Sequence, residues 1–274
     1  MFEPTGRFVA FAPTRPVEGR SAEDSGAARR EAQRGGRDAA LERLLRAEGA
    51  PAARRAAGAL HLPERGRYVC LAAPVAPGEA NPLRGAGEAL ERRGMTARWA
   101  RQQRVVAGLV LLGEAVRESL VAEVDPLVNC RAAVSPVVDD LGEVPAAHRL
   151  ALAAARSLHR PRLVTADDRL PEALLLANPD LTERFPEMTL GALLELPQRE
   201  REPLLGTLEA LLRCNGSATH AAKRLYCHRN TVLYRLQRIE SLTGRALSRS
   251  RDRLLLSLGL MTLRLSDAEQ EAQP

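Results

Sequence analysis

The sequence predicts an α+β chain: a mixed domain of strand–helix order βαββαβ, then an all-α domain. Three observations carry this. Between Tyr68 and Val134, short apolar runs of strand length alternate with amphipathic helical stretches. From Pro203 onward, apolar residues recur only at helical spacing. The charge is also lopsided: the net is +6, yet residues 201–264 hold 12 Lys/Arg against 4 Asp/Glu, so the remainder sums to −2.

Residues 1–36 are rich in Gly, Pro, Arg, Ala and Ser and show no sustained period, which predicts a flexible tail. Two helices are expected from Asp38 to Leu60. Leu41, Leu44 and Leu45 mark the first, Gly49 separates them, and Pro51 suits the opening turn of the second. Tyr68 to Ala73 reads as a strand, and Pro82 to Arg92 as a helix stopped by Gly94. Met95 to Ala100 and Val105 to Leu112 read as adjacent strands joined by a polar turn through Arg101-Gln102-Gln103. Glu114 to Val124 is a helix striped by Val116, Leu120 and Val121. Leu127 to Val134 is a strand, with Cys130, Ala132 and Val134 alternating. This order is that of the ferredoxin-like split βαβ fold, an antiparallel sheet with helices on one face. Ala146 to Leu158 adds a helix, and Arg162 to Val164 an edge strand.

Residues 171–200 read as short helical pieces broken by Pro179, Pro186 and Pro197. A helix beginning at Pro203 carries Leu204, Leu205, Leu208, Leu211 and Leu212 on one stripe and stops at Asn215-Gly216. Ala218, Ala221, Ala222 and Leu225 then fall at i, i+3, i+4 and i+7, a small-residue apolar face. After Tyr226-Cys227 a new period starts with Val232, Leu236 and Ile239 inward. Stepping about 100° per residue puts Asn230, Thr231, Tyr234, Gln237, Arg238 and Ser241 outward, with Arg229 and Arg235 at the margins. Gly244 ends that helix. Ser250 opens a last one, striped by Leu254, Leu258, Met261 and Leu265, which suits either internal packing or a second subunit; the residues from Ser266 are expected to fray.

A short helix, a tight turn and a polar, basic second helix make the helix-turn-helix plan, whose second helix enters the DNA major groove. Concentrated positive charge on that segment fits a polyanionic partner. The run His228-Arg229-Asn230-Thr231-Val232-x-Tyr234-Arg235-Leu236-x-Arg238-Ile239-Glu240, followed by Leu242-Thr243-Gly244, resembles the C-terminal DNA-binding segment of the PucR/CdaR family of bacterial transcription regulators. More loosely it resembles Fis-like proteins. The βαββαβ order ahead of it resembles the degenerate GGDEF-like middle domain of the same family.

The resemblance implies a sequence-specific regulator acting as a homodimer on double-stranded DNA, with an unidentified small-molecule effector as a further partner. It places DNA contacts at Lys223, Arg224, Arg229, Asn230, Thr231, Tyr234, Arg235 and Arg238, over a core of Ala221, Leu225, Val232, Leu236 and Ile239. Asn230 suits adenine, and Arg229 or Arg235 suits guanine N7 and O6. Thr231 and Tyr234 suit phosphate oxygens or a thymine methyl. Lys223, Arg224 and Arg238 suit phosphates, which set register without reading sequence. His228 reads as a helix-start residue whose ring nitrogen accepts a backbone N–H. The rival readings are a Fis-like architectural binder of low specificity and a protein-interaction module with a nucleotide-sensing middle domain.

Enzyme chemistry finds no foothold. A working diguanylate cyclase carries a Gly-Gly-acid-acid-Phe turn between the second and third strands; here that turn is Arg101-Gln102-Gln103-Arg104, with no glycine pair and no carboxylate. Asp167-Asp168 reads as a helix cap rather than an acid/base pair. There is no G-x-S-x-G, H-E-x-x-H or G-x-x-x-x-G-K. Cys70, Cys130, Cys214 and Cys227 lack C-x-x-C spacing and read as reduced thiols, so neither metal nor cofactor is expected. Met1 to Arg15 lacks a leader pattern, and the longest apolar run, Val105 to Leu112, is far short of the ~20 residues that span a bilayer. The expected location is the cytoplasm, with no membrane partner. The expected divisions are a tail at 1–36, the GGDEF-like domain with its leading helices at 37–165, a connector at 166–200, the helix-turn-helix domain at 201–266 and a frayed end at 267–274.

Overall fold

Strand β1 (Arg65–Pro74) is the spine of the first domain, buried from Tyr68 to Ala73 because both faces of the sheet are covered. The computed structural model describes residues 35–270, with side chains to Ser266. The tail expected at 1–36 falls outside them except for residues 35 and 36, which open helix α1 (35–45). Helix α2 (Ala50–Ala57) starts after Gly49 with Pro51 in its first turn, as the sequence predicts.

Chain order continues with α3 (Ala86–Arg92), β2 (Thr96–Gln102), β3 (Val105–Leu111), α4 (Arg117–Val124), β4 (Arg131–Val134), β5 (Val138–Asp140), α5 (Val144–Arg156) and β6 (Arg162–Thr165). The sheet runs β2-β3-β1-β4-β6, with β5 also paired to β1. Along β2-β3-β1-β4 each strand is antiparallel to its neighbour, the ferredoxin-like order, while β6 lies parallel to β4 after the crossover through α5. The helices do not keep to one face. Tyr68, Cys70, Ala107 and Leu109 pack under α1 and α2, and Val69, Leu71, Val106 and Val110 pack under α3 and α4 on the other side. α5 joins the α1–α2 side through Val144 and Ala147. Two further differences are local. The strand expected from Leu127 begins only at Arg131, because Asp125–Leu127 around Pro126 winds into a 3-10 turn. β5 is too short to show as a period-2 pattern.

Tight packing is visible at the one tryptophan. Trp99 of β2 lies across Gly108 of β3, where an added Cβ would sit 2.6 Å from the indole, and beneath Gly87 of α3.

Asp167 and Asp168 part company. Asp167 pairs with Arg117 of α4, and Asp168 accepts the Thr165 hydroxyl at 2.7 Å. Neither caps α6 (Leu170–Leu176), whose start has no side-chain cap.

Helix α7 (Pro179–Leu194) runs unbroken through Pro186, and α8 (Gln198–Arg213) begins five residues before Pro203. The proline penalty of ~3 kcal/mol is overridden by burial. Leu190 and Leu193 of α7, with Leu204, Leu208 and Leu211 of α8, lie in one core with α9 (Ala218–Arg224), α10 (Arg229–Thr243) and α11 (Ser250–Gln270). α11 reaches Gln270, past the expected fraying point. It meets α7 at Gly259, where any Cβ would overlap Thr189. Its deepest side chains are Leu256, Thr262 and Leu265, so the expected stripe is only partly inward: Leu254 is 58% exposed. Among the described residues, no helix is long and apolar enough to cross a membrane.

Candidate nucleic-acid interface

α8 ends where its chain turns left-handed, at Asn215 (φ 50°) and Gly216 (φ 82°), and the Gly216 amide closes on the Leu211 carbonyl at 2.7 Å. Ser217 caps α9 by accepting the His220 amide. α9 then ends in the same kind of stop: the Cys227 amide returns to the Ala222 carbonyl at 3.1 Å, with Tyr226 left-handed at φ 51°. His228 starts α10, its Nδ1 accepting the Asn230 amide at 3.2 Å, the helix-start role read from sequence. Gly244 closes α10 at φ 66° with its amide on the Glu240 carbonyl.

These stops fix a helix pair over α8. Ala221, Val232 and Ile239 are fully buried, Ala222 nearly so, and Leu225 and Leu236 pack half-buried against them. The small side chains of α9 let α10 lie close, which a larger residue at Ala221 would prevent. With one face of α10 spent on the core, the opposite face stands open. Asn230, Arg229, Arg238 and Tyr234 are exposed, as are Lys223 and Arg224 at the end of α9. Thr231 is half-buried.

Arg235 is placed otherwise. It is half-buried, and its Nη1 donates to Thr207 Oγ1 of α8 at 3.3 Å; Thr207 in turn donates to the Pro203 carbonyl at 2.7 Å. In this arrangement Arg235 ties α10 to α8, and Arg229 is left exposed at the start of α10. The sequence hinted at this by putting Arg235 at the margin of the outward face.

The electrostatics follow from where the carboxylates go. Residues 201–264 hold four, and all are engaged elsewhere. Glu202 accepts from Gln198, and Glu209 pairs with Arg213 and Arg264. Glu240 accepts the Leu247 amide, and Asp252 accepts the Ala246 amide beside Arg245 and Arg249. Among the described residues, Lys223, Arg224, Arg229 and Arg238 have no ion-pair partner. Sequence reasoning missed Tyr226, which is 98% exposed at the turn itself. Its signal was a tyrosine standing where a helix stop calls for a left-handed residue.

In the first domain, the β2–β3 turn presents Gln103 and Arg104 to solvent, with Arg101 beside them. None of the turn's own residues, Arg101 to Arg104, is a carboxylate that could hold a metal ion. Among the described residues, no group of three His, Cys, Asp or Glu is arranged to bind one.

Comparison with known proteins places names beside both regions. Residues 204–262 match the PucR C-terminal helix-turn-helix domain, and residues 44–157 match the GGDEF-like domain. The chain is 36% identical over 138 residues to the purine catabolism regulatory protein of Bacillus subtilis (strain 168), an overlap of 48% of this chain and 26% of that protein. It is 34% identical over 119 residues to an uncharacterized protein of Mycobacterium tuberculosis (strain ATCC 25618 / H37Rv), covering 40% of this chain and 28% of that one. The chain thus spans about a quarter of the length of the curated relatives it matches. Among solved structures, it is similar to the regulator of polyketide synthase expression from Bifidobacterium adolescentis, at 24% identity and a TM-score of 0.44, over 84% of this chain and 93% of that one.

Proposed function

The chain belongs to the PucR family, a GGDEF-like domain followed by a PucR C-terminal helix-turn-helix, and from that we infer a sequence-specific, DNA-binding transcriptional regulator that acts as a homodimer. The observation that supports it best is the surface around α10. Four cations without carboxylate partners flank an exposed Asn230 on a helix whose other face is core. Such a surface matches DNA in both charge and shape.

In this reading α10 lies in the major groove with its N-terminal half toward base edges. Asn230 pairs with adenine, and Arg229 with guanine. Thr231 and Tyr234 meet phosphate oxygens or a thymine methyl. Lys223, Arg224 and Arg238 neutralise phosphates. Arg235 holds α10 on α8 through Thr207 and reaches DNA only if that bond opens. A second copy supplies the second recognition helix, since one helix reads one half-site. The partly open stripe of α11 at Leu254 and Leu258 offers that copy an apolar surface. The GGDEF-like domain is assigned a scaffold or effector-sensing role. No cyclase reaction is assigned to it, because its β2–β3 turn carries arginine and glutamine where a metal site needs carboxylates.

The test is binding of the purified protein to duplex DNA from upstream of its own gene, against a scrambled duplex, at two salt concentrations. The wild type should prefer the upstream DNA by a factor of ~10³ or more, and its affinity should fall steeply with salt. An Arg229→Ala, Asn230→Ala double variant should lose the preference and keep weak, salt-sensitive binding. Equal binding to both duplexes by the wild type would rule out sequence reading. No salt-sensitive binding at all would rule out the nucleic-acid partner.

A further inference from the structure

The turn between α9 and α10 holds a residue that the fold itself has no use for. Tyr226 sits there at φ 51°, its amide turned back toward the Lys223 carbonyl at 3.4 Å and the next amide bonded to Ala222. Left-handed backbone at this point is what ends α9 and starts α10. Glycine adopts it most readily, having no Cβ to crowd the following carbonyl, and asparagine next, since its short polar side chain can hydrogen-bond locally. Asn215 fills the equivalent position after α8. A tyrosine here carries the strain, and its ring returns nothing to the interior. Tyr226 is 98% exposed, and its side chain makes no hydrogen bond to any described residue.

The chain has only three tyrosines. Tyr68 is fully buried and donates its hydroxyl to the Pro63 carbonyl. The other two, Tyr226 and Tyr234 (70% exposed), both stand out from the helix-turn-helix. In sequence, Tyr226 lies between two unpaired cations that end α9, Lys223 and Arg224, and one that begins α10, Arg229. Strain without internal return, on an open and cationic surface, points outward to a ligand.

We propose that Tyr226 is a DNA-contacting residue whose phenol hydroxyl donates to a phosphate oxygen at the edge of the groove, helping to set register without reading a base. This rests on the DNA-binding reading above. The contact is made by the turn, so it is independent of the face of α10 that reads sequence.

The experiment pairs two readouts on the full chain: thermal unfolding, and fluorescence anisotropy with a labelled duplex of about thirty base pairs (about three helical turns) from upstream of its own gene and with its scrambled counterpart. Tyr226→Gly relieves the strained backbone, so its melting temperature should hold or rise by about 2–4 °C. Its affinity should fall about tenfold on both duplexes alike, as for a lost charge-assisted hydrogen bond to a phosphate. Tyr226→Phe should lose a similar factor with an unchanged melting temperature. If Tyr226→Gly binds as tightly as wild type, or loses stability and affinity together, the contact does not exist. A Tyr226→Phe variant that binds like wild type overturns the hydroxyl contact. Failure of the wild type to bind either duplex is a different result, and it overturns the DNA-binding reading itself.

Discussion

In the sheet domain, Arg54 meets Asp140 at 2.9 Å, Arg93 meets Glu123 at 2.5 Å, and Arg117 pairs with Asp167 beside the start of α6. Around α10, four cations meet no carboxylate among the described residues. Both regions draw on the same arginine-rich composition, 40 Lys/Arg against 34 Asp/Glu overall, so composition does not explain the contrast. Placement does. Acids at least balance bases outside 201–264, and Arg54 in turn holds the Asp140 carboxyl below its ordinary range. Inside 201–264 the few acids are drawn into joints: Glu240 on the α10–α11 link, Asp252 at the start of α11, Glu209 between α8 and α11. What the joints leave over is unpaired positive charge around α10. The sheet domain also has arginines outside its ion pairs, Arg101 and Arg104 at the β2–β3 turn among them, but outside 201–264 acids balance bases in number, and inside it they do not.

The cores are also separate, and the largest predicted effect tests that. Ile239 is fully buried beneath α10, and Ile239→Ala should cost about 2–5 kcal/mol through lost transfer energy and a cavity. Trp99, the single tryptophan, lies in the sheet domain and reports that domain alone. In chemical denaturation, the helical transition followed by far-UV circular dichroism should move to lower denaturant while the Trp99 fluorescence transition stays. If both shift together, the two regions unfold as one unit and the contrast holds only for their surfaces.

A second prediction separates the domains by pH. His148 of α5 is 4% exposed, and among the described residues its Nδ1 has no hydrogen-bond partner. Burial first, then Arg149 and Arg156, pushes its pKa down from 6.5 to about 4. Between these values the unfolded chain binds a proton that the folded chain refuses, so stability falls as pH drops through this window and is flat below it. The loss should approach roughly 3 kcal/mol by pH 4. It should appear in the Trp99 transition, and His148→Leu should flatten that dependence. An unchanged slope in the variant would assign the acid sensitivity to other groups.

Much of this was legible in the sequence, and the failures share a cause. Periodicity placed α1, α2 and the helix pair, each with one apolar face and a glycine or proline near its edge, while continuous apolar runs of strand length placed β1 and β3. Reading Pro186 as a break failed because local propensity yielded to the burial of Leu190 and Leu193, which only the fold reveals. The one-faced sheet failed similarly: Tyr68 to Ala73 is continuously apolar, which is the pattern of a strand covered on both sides, but α1 and α2 could not be assigned to the far face without contacts. At the interface, spacing found the outward face of α10 but not the inward bond of Arg235. A helical wheel gives an angle, and the reach of a long side chain toward Thr207 depends on where α8 lies.

The smallest predicted effect concerns how the helices begin. The sheet-domain helices α2, α3, α4 and α5 start without a side-chain cap, and each is positioned by the face it buries. α9 and α10 both have one, from Ser217 and His228. The difference is physical. α5, with seven buried residues, has its start set by packing, whereas α10, like the shorter α2 and α4, buries only two fully, and its first turn is fixed locally by His228. That turn carries Arg229 and Asn230, the residues proposed to meet bases. His228→Ala should therefore cost about 0.5–1.5 kcal/mol in denaturation of the helical domain. Glu143→Ala, at the uncapped start of α5, should stay within about 0.5 kcal/mol. The preference for upstream over scrambled DNA should also narrow in His228→Ala, because a frayed first turn spreads Arg229 and Asn230 over several positions. A His228→Ala variant that is destabilised but discriminates as well as wild type would mean that DNA itself orders the turn, and that the cap serves the fold alone.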